Sequence, residues 1–325
     1  LLPLVLVVSQ YPTSPPTPIS IIFVPMRVTI LGNNSALPAF GRHPTSQAVT
    51  VYGEVLLLDC GEGTQIQMQR YGIRWKNVHH IFISHLHGDH YFGLPGLINS
   101  MSLLGRTAPL HLYAPAGLKP ILDAILAVAN TTLGYPLHFH ELQAAGGVIA
   151  ESDAFTVTSF AVEHGIECYG FMITTRTRGR RILPHQCEQY GIPTSDFELL
   201  KQGQDYTLPD GTIVPNDAVT TDGPPPRRYA YCADTRITDC FLPVIEGADA
   251  IYHEATYLQA DEARATARYH STALQAAQLA KKANVRMLLL GHFSSRYKEL
   301  EPFREEAIAV FRNTFIAVEG VAYDL

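Results

Sequence analysis

Three histidines and one aspartate lie within six residues of this chain, directly after an apolar segment, in the run His85-Leu86-His87-Gly88-Asp89-His90. The apolar residues 81–83 predict a β-strand, so we expect the run on a loop at the strand end rather than on a helix face. Imidazole nitrogens and carboxylates suit Zn²⁺, and Gly88 permits the tight backbone path that such a loop needs. A histidine-rich surface loop without metal is the alternative, but so compact a pattern at a strand end favours a metal site.

Four ligands from one short loop cannot complete two metal sites, so a binuclear centre requires further ligands elsewhere in the chain. His164, Asp234 and His292 each follow an apolar segment that predicts a strand. Any one of them alone could be a structural residue. Their shared placement at strand ends favours a common site with the histidine run.

Short apolar strands followed by loops rich in His, Asp and Gly predict an α/β sandwich whose chemistry lies at the strand ends. The predicted strands are residues 28–31, 55–59, 80–84, 110–113, 155–162, 229–232, 250–252 and 286–290. The predicted helices are residues 64–71, 94–104, 118–128, 271–283 and 302–311.

The net charge of −6 gives the chain no overall basic field. A nucleic-acid substrate would therefore have to be held by local arginines and by bound cations. The five cysteines are scattered and form no C-x-x-C pair, which fits neither a disulfide framework nor a zinc ribbon. Such cysteine usage is typical of the reducing cytoplasm.

The N-terminal segment does not resemble the rest of the chain. Residues 1–8 are apolar but lack a basic flank, and residues 12–18 are rich in proline. The apolar stretch is far shorter than the roughly 20 residues of a membrane span, so no membrane association is expected. We predict that residues 1–25 are an extension, disordered or not native, and that residues 26–325 form the folded domain.

One region interrupts the alternation of strands and helices. Residues 176–226 begin with four arginines and later become polar and proline-rich, which predicts an arm inserted into the main domain. These arginines are Arg176, Arg178, Arg180 and Arg181. They are candidates for phosphate contacts, and a solvated surface loop is the alternative.

Further motifs surround the candidate ligands. They are the segments 31–38 (LGNNSALP), 59–65 (DCGEGTQ), 92–97 (FGLPGL), 253–256 (HEAT), 270–272 (HST) and 291–297 (GHFSSRY). Together with the histidine run, they resemble the metallo-β-lactamase superfamily and, within it, the ribonuclease Z family of endonucleases that mature tRNA 3′ ends. The resemblance runs from about residue 26 to the C-terminus. The histidine run marks only the superfamily, whereas His-Glu-Ala-Thr, His-Ser-Thr and the final Arg-Tyr single out ribonuclease Z.

The resemblance implies an αββα sandwich with an inserted flexible arm and two Zn²⁺ ions per subunit. The implied ligands are His85, His87 and His164 for one ion, Asp89, His90 and His292 for the other, and Asp234 as the bridge. Two such cations lower the pKa of a shared water and neutralise charge on the transition state. Attack on the phosphodiester would leave a 3′-hydroxyl on the tRNA and a 5′-phosphate on the trailer, with Asp89 as proton acceptor. Mn²⁺ and Fe²⁺ also suit this ligand set.

Departure of a ribose 3′-oxygen requires a proton, and an imidazole held by a carboxylate is suited to supply it. The resemblance assigns this role to His270, oriented by Glu254. Alternatively, His270 could form part of the cap of the helix that begins near it, although Ser271 could cap that helix unaided. Arg296 could contact a phosphate or pair with a core carboxylate.

The resemblance also implies precursor tRNA as substrate, a homodimer, and an arm that grips the tRNA body. Residues 191–193 (GIP) resemble the family's arm, but residues 194–196 (TSD) replace its Pro-Gly-Pro continuation. Two other functions remain open: a small-molecule phosphodiesterase, thioesterase or lactamase with the same fold, and a nucleic-acid-binding scaffold with a degenerate site. The His270 and Glu254 elements favour the nuclease, and the complete ligand set favours an enzyme.

Overall fold

A computed structural model describes residues 24–143, 146–177 and 179–325. The first half of the chain contains β1 (Met26–Gly32), β2 (Asn34–Ser35), β3 (Ser46–Val51), β4 (Glu54–Leu58), β5 (Val78–Phe82), β6 (Leu110–Ala114), β7 (Leu137–Glu141), β8 (Gly147–Glu151) and β9 (Phe155–Ala161). The second half contains β10 (Tyr169–Thr175), β11 (Arg181–Ile182), β12 (Tyr206–Thr207), β13 (Ile213–Val214), β14 (Thr220–Thr221), β15 (Arg228–Tyr231), β16 (Ala250–Glu254), β17 (Leu288–Gly291), β18 (Phe293–Ser294), β19 (Thr314–Ile316) and β20 (Ala322–Asp324).

The α-helices lie between these strands. They are α1 (Thr64–Arg70), α2 (Gly88–Tyr91), α3 (Leu94–Leu103), α4 (Leu118–Val128), α5 (Pro184–Gln189), α6 (Phe197–Lys201), α7 (Asn216–Val219), α8 (Leu242–Ile245), α9 (Glu262–Ala267), α10 (Ala273–Lys282) and α11 (Glu301–Ile308). None of the helices in the described ranges is long and apolar enough to cross a bilayer.

Two seven-stranded sheets pack face to face. Their strand orders are β20-β1-β3-β4-β5-β6-β7 and β19-β17-β16-β15-β10-β9-β8. A central apolar cluster lies between the sheets, and two further clusters join the outer sheet faces to α1, α3 and α4 on one side and to α10 and α11 on the other. This layering is the predicted αββα sandwich.

The alternation of side chains explains why the strands are apolar throughout. On β4, Leu56 and Leu58 enter the central cluster, while Val55 and Leu57 point to the layer that the helices cover. Because both faces of the strand are buried, a continuous apolar run replaces the usual alternation of polar and apolar residues.

Parallel pairing places the ends of the site-bearing strands at one edge of the sandwich. β4 pairs in parallel with β5, and β15, β16 and β17 form a second parallel set. β9 runs in the same sense as β15 because β10 is antiparallel to both. Loops that follow the carboxyl ends of these strands therefore converge, which is where ligands bind in open α/β sheets.

The segment between β10 and β15 contains α5, α6 and α7 with two small hairpin-like ladders, β11–β14 and β12–β13. It has a small apolar core of its own, formed by Cys187, Ile192, Leu200, Val214 and Val219. The predicted arm falls in this segment, and its status as a separate arm stays a prediction. Arg178 and residues 1–23 of the predicted extension lie outside the described residues.

All eight predicted strands and all five predicted helices correspond to observed elements; the predicted helix 118–128 coincides with α4, and the other elements have shifted ends. One prediction about the histidine run is wrong in part: residues 88–91 form the one-turn helix α2 instead of continuing the loop. The turn is closed by backbone hydrogen bonds from His90 to His87 (3.0 Å) and from Phe92 to Gly88 (2.9 Å). The residues between β5 and α2 remain a loop, as predicted.

Candidate metal centre

One group of predicted ligands comes from three strand ends. His85 and His87 follow β5, His164 follows β9, and Asp234 follows β15. The His85 Nε2 lies 3.0 Å from His87 Nδ1, and His164 Nε2 lies 3.2 Å from the same nitrogen. The Asp234 Oδ2 is 3.7 Å from His85 Nε2, so the four side chains can surround one cation.

A second group comes from α2 and from the end of β17. The His292 Nε2 lies 3.3 Å from both Asp89 Oδ2 and His90 Nε2. The Asp234 Oδ2 lies 3.2 Å from His292 Nε2 and 3.5 Å from His90 Nε2. Asp234 therefore stands between the two groups, as a bridging carboxylate must.

The donor set fits a pair of cations. Asp234 is 2% exposed, and its Oδ1 has no hydrogen-bond partner among the described residues. An unpaired buried carboxylate oxygen is costly unless a cation satisfies it. Burial also holds the pKa of His85 well below its usual value, which keeps its imidazole neutral and able to donate a lone pair. Nitrogen and carboxylate donors of this kind suit Zn²⁺ and also Mn²⁺ or Fe²⁺.

Asp59, at the end of β4, is a residue that the sequence reasoning missed. Its fully buried carboxylate accepts hydrogen bonds from His90 Nδ1 (2.7 Å), Ser84 N (2.7 Å), Ser84 Oγ (2.8 Å) and Tyr231 OH (2.5 Å). A carboxylate behind a ligating histidine fixes the ring and raises its basicity. The available signal was the acidic residue directly after an apolar strand, within the segment Asp-Cys-Gly.

Other imidazoles are held in the same way. The Thr256 Oγ lies 2.9 Å from His292 Nδ1 and donates to Glu254 Oε2 at 2.7 Å. The His164 Nδ1 lies 3.1 Å from the Tyr269 carbonyl oxygen. Each of these histidines therefore keeps Nε2 for the centre.

His270 borders the centre and is paired with a buried carboxylate. Its Nδ1 lies 2.7 Å from Glu254 Oε1, and its ring centroid is 5.4 Å from that of His292. Burial opposes the charged imidazolium, but the charge and hydrogen bond of Glu254, together with the charges of Asp234 and Asp89, outweigh it and raise the pKa of His270 to about 9. Glu254 also accepts from the backbone amides of Thr235 and Thr256, both at 3.0 Å, so its orientation is fully determined.

The alternative role of His270 in a helix cap is not what the structure shows. Thr272 is the N-cap of α10 and forms a capping box with Gln275. The expectation that Ser271 could cap this helix is also wrong, because its hydroxyl donates to the Thr235 carbonyl at 2.7 Å. His270 therefore does not cap α10.

The arginine candidates differ in their surroundings. Arg296 is exposed after β18 and, within the described ranges, forms no ion pair, so the alternative of a core carboxylate partner is not realised. Arg176 pairs with Glu151 at 2.5 Å. Arg180 pairs with Asp217 and, at 2.8 Å, with Asp222. Arg181 is exposed and makes no ion pair with any described residue.

The family model of the anti-Pycsar protein Apyc1 matches residues 26–180. This part of the chain contains five of the seven candidate ligands. The other two, Asp234 and His292, lie outside it, as does His270.

Longer matches come from other proteins. Ribonuclease Z of Porphyromonas gingivalis is 42% identical over 92% of this chain and 98% of its own length. Ribonuclease Z of Bacteroides fragilis is 41% identical over 91% of this chain and 98% of its own length. Among solved structures, the short form of human tRNase Z is 25% identical, with a TM-score of 0.67 over 92% of this chain and 98% of that one.

Proposed function

Because this chain belongs to the ribonuclease Z family, we propose that it is a zinc-dependent endoribonuclease that removes the 3′ trailer from precursor tRNA. The observation that carries the proposal is the convergence of two ligand groups beside the His270–Glu254 pair. A centre that only bound nucleic acid would not need an imidazole poised to donate a proton next to the ligands.

We assign one Zn²⁺ to each ligand group, giving two ions per subunit. The first would be held by His85, His87 and His164, the second by Asp89, His90 and His292, with Asp234 between them. When bound, such a pair acidifies water and offsets the negative charge that develops around phosphorus.

The side chains of this protein then divide the proton transfers between them. Asp89 receives the proton of the attacking water, and its carboxylate is held in place by the Ala36 amide at 2.7 Å. His270, oriented by Glu254, delivers a proton to the departing 3′-oxygen. The products are a tRNA with a 3′-hydroxyl and a trailer with a 5′-phosphate.

Substrate binding away from the cut involves exposed cations. Arg296 lies on the loop after the last ligand, where it can meet a phosphate near the cut. The arm, residues 176–226, carries Arg181 as an exposed cation, whereas Arg176 and Arg180 must first exchange their carboxylate partners. We also propose a homodimer and a cytoplasmic location, where precursor tRNA is the available substrate.

One experiment tests the proposed reaction by its products. Purified protein is incubated with a 3′-extended precursor tRNA, and both fragments are analysed by mass spectrometry. The expected result is one cut near the acceptor end, a 3′-hydroxyl on the tRNA and a 5′-phosphate on the trailer. A 2′,3′-cyclic phosphate, or several unrelated cuts, would contradict the proposal.

Fold alone does not fix the substrate, so hydrolysis of a small phosphodiester by the same centre is a second candidate activity. The chain also matches the family model of the anti-Pycsar protein Apyc1 over residues 26–180. That match ends at residue 180, before His270 and most of the arm. A protein that hydrolyses a small aryl phosphodiester and leaves precursor tRNA intact would favour this second activity.

A further inference from the structure

A small cavity opens beside the candidate ligands. Its volume is about 370 Å³, and it is lined by four of those ligands, by His270 and by Phe92. Ligand cavities commonly measure about 300–1,000 Å³, so this one is near the lower end of the range. It has room for a single unpaired nucleotide but not for a base-paired stem.

The Phe92 side chain forms a wall of this cavity that the proposed proton transfers do not use. It is 63% exposed, and it belongs to none of the apolar clusters of the described residues. The ring rests on Gly88, where an added Cβ would fall 2.2 Å from the ring's Cε2 atom. Only glycine at position 88 lets the ring lie there, so one edge of Phe92 is fixed and much of its surface is free.

An exposed aromatic ring beside a phosphate-cleaving centre matches the chemistry of single-stranded nucleic acid. Bases stack on aromatic side chains in many such sites, with little sequence preference because every base has a π-face. Core packing does not account for this ring, since most of its surface faces solvent.

We propose that Phe92 is the stacking platform for the base of the first trailer nucleotide, an assignment that rests on the proposed function. The departing 3′-oxygen belongs to the last tRNA nucleotide and must face His270. Phe92 lies instead at the end of α2, the helix that carries Asp89. The first trailer nucleotide, on the other side of the scissile phosphate, therefore lies against Phe92.

The kinetic test compares three variants with the wild-type holoenzyme. Phe92→Leu keeps an apolar side chain but removes the ring, and Phe92→Tyr keeps the ring. Phe40→Leu is the matched control, because Phe40 is also exposed (55%) but lies under the Arg42 guanidinium and does not line the cavity. Each enzyme is assayed on precursor tRNA with a normal or an abasic first trailer nucleotide.

Loss of one stacked base corresponds to a fall in kcat/KM of roughly 5- to 150-fold. We expect this fall for Phe92→Leu on the normal substrate and for the wild type on the abasic substrate. Phe92→Leu assayed on the abasic substrate should show no further fall in kcat/KM, because the substitution and the missing base remove the same contact. Phe92→Tyr and Phe40→Leu should stay close to the wild type.

A spectroscopic test reports stacking directly. With 2-aminopurine as the first trailer base, stopped-flow mixing with the wild-type holoenzyme should quench the fluorescence before cleavage, and Phe92→Leu should abolish this phase. If Phe92→Leu cuts normally, or if only an abasic last tRNA nucleotide couples to Phe92, the stacking assignment is overturned while the proposed function stands. If the wild type does not cut precursor tRNA, both are overturned.

Discussion

At the scale of single residues, several imidazoles of the candidate centre are held through the ring nitrogen that faces away from it. Asp59 holds His90 and Thr256 holds His292, while a backbone carbonyl holds His164. These contacts fix the rings before any cation arrives, so the affinity of the centre depends on residues that do not touch the metal.

The first prediction concerns Asp59. Asp59→Asn retains the shape of the side chain but removes the charge behind His90, so we expect metal affinity to fall by about 10- to 100-fold. Competition with a chromophoric chelator measures this affinity. The control is Asp123→Asn, at an exposed aspartate that pairs with Lys119. Unchanged affinity in Asp59→Asn, with native circular dichroism, would refute the role assigned to Asp59.

The second prediction separates proton donation from metal binding. His270→Ala should lower the rate of precursor tRNA cleavage by about 10²- to 10⁴-fold, because the ribose oxygen needs a proton to leave. The same variant should hydrolyse a p-nitrophenyl phosphodiester almost normally, since that leaving group departs without protonation. Glu254→Gln should behave similarly, and the metal content of both variants should match the wild type. Equal losses on the two substrates would assign His270 to metal binding instead.

At the scale of secondary-structure elements, three neighbouring parallel strands carry a row of imidazoles. His80 on β5 stacks on His111 of β6 with ring centroids 5.2 Å apart, and His111 Nδ1 lies 2.9 Å from His140 Nε2 on β7. Burial, followed by the charges of His111, His79 and His140, lowers the pKa of His80 from 6.5 to about 4. The folded sheet therefore resists protonation that the unfolded chain accepts.

The third prediction follows from this row. A histidine whose pKa is lowered by folding does not change the free energy of unfolding above pH 6.5. It lowers that free energy as the pH falls from 6.5 to about 4. At roughly 1.4 kcal/mol per pKa unit, the loss is at most about 3.5 kcal/mol, and the partial exposure of the His80 ring makes it smaller. Urea unfolding across this range should show a smaller loss for His80→Phe than for the wild type. The control His185→Phe, at an exposed histidine of the arm, should follow the wild type. Identical pH dependence in all three proteins would contradict the account.

The elements also show what could be predicted from the sequence. Ligands at strand ends were predictable because the apolar run and the polar residue after it are adjacent in the chain. Of the strands in the two large sheets, β3, β7, β8, β10, β19 and β20 were missed; Gln47 interrupts the apolar run of β3, and His138 interrupts that of β7. The one-turn helix α2 and the capping threonine of α10 depend on local hydrogen bonds that spacing alone does not reveal.

The hydrogen bonds behind the ligands were harder to predict for a different reason. Asp59 lies 31 residues from His90, and Thr256 lies 36 residues from His292. Only the pairing of the strands brings each partner into position. A residue that acts through another side chain carries no local sign of its partner.

At the scale of the whole molecule, a chain with a net charge of −6 must bind a polyanion through local cations. The fourth prediction is that Arg181→Ala weakens precursor tRNA binding and lowers the slope of log affinity against log salt by about 1. Hydrolysis of a small aryl phosphodiester should not change. Arg304→Ala, on α11 and paired with Glu301, is the control. If Arg181→Ala impaired both substrates equally, the arm would not be a separate binding surface.

The dependence of precursor tRNA cleavage on the metal centre can be measured in a single assay. Wild-type protein and Asp89→Ala are incubated with a 3′-extended precursor tRNA and with a small aryl phosphodiester, with and without a chelator. We expect a single cut near the acceptor end by the wild type, and we expect this cut to be lost with the chelator and in Asp89→Ala. Hydrolysis of the small diester alone, with precursor tRNA left intact, would contradict it.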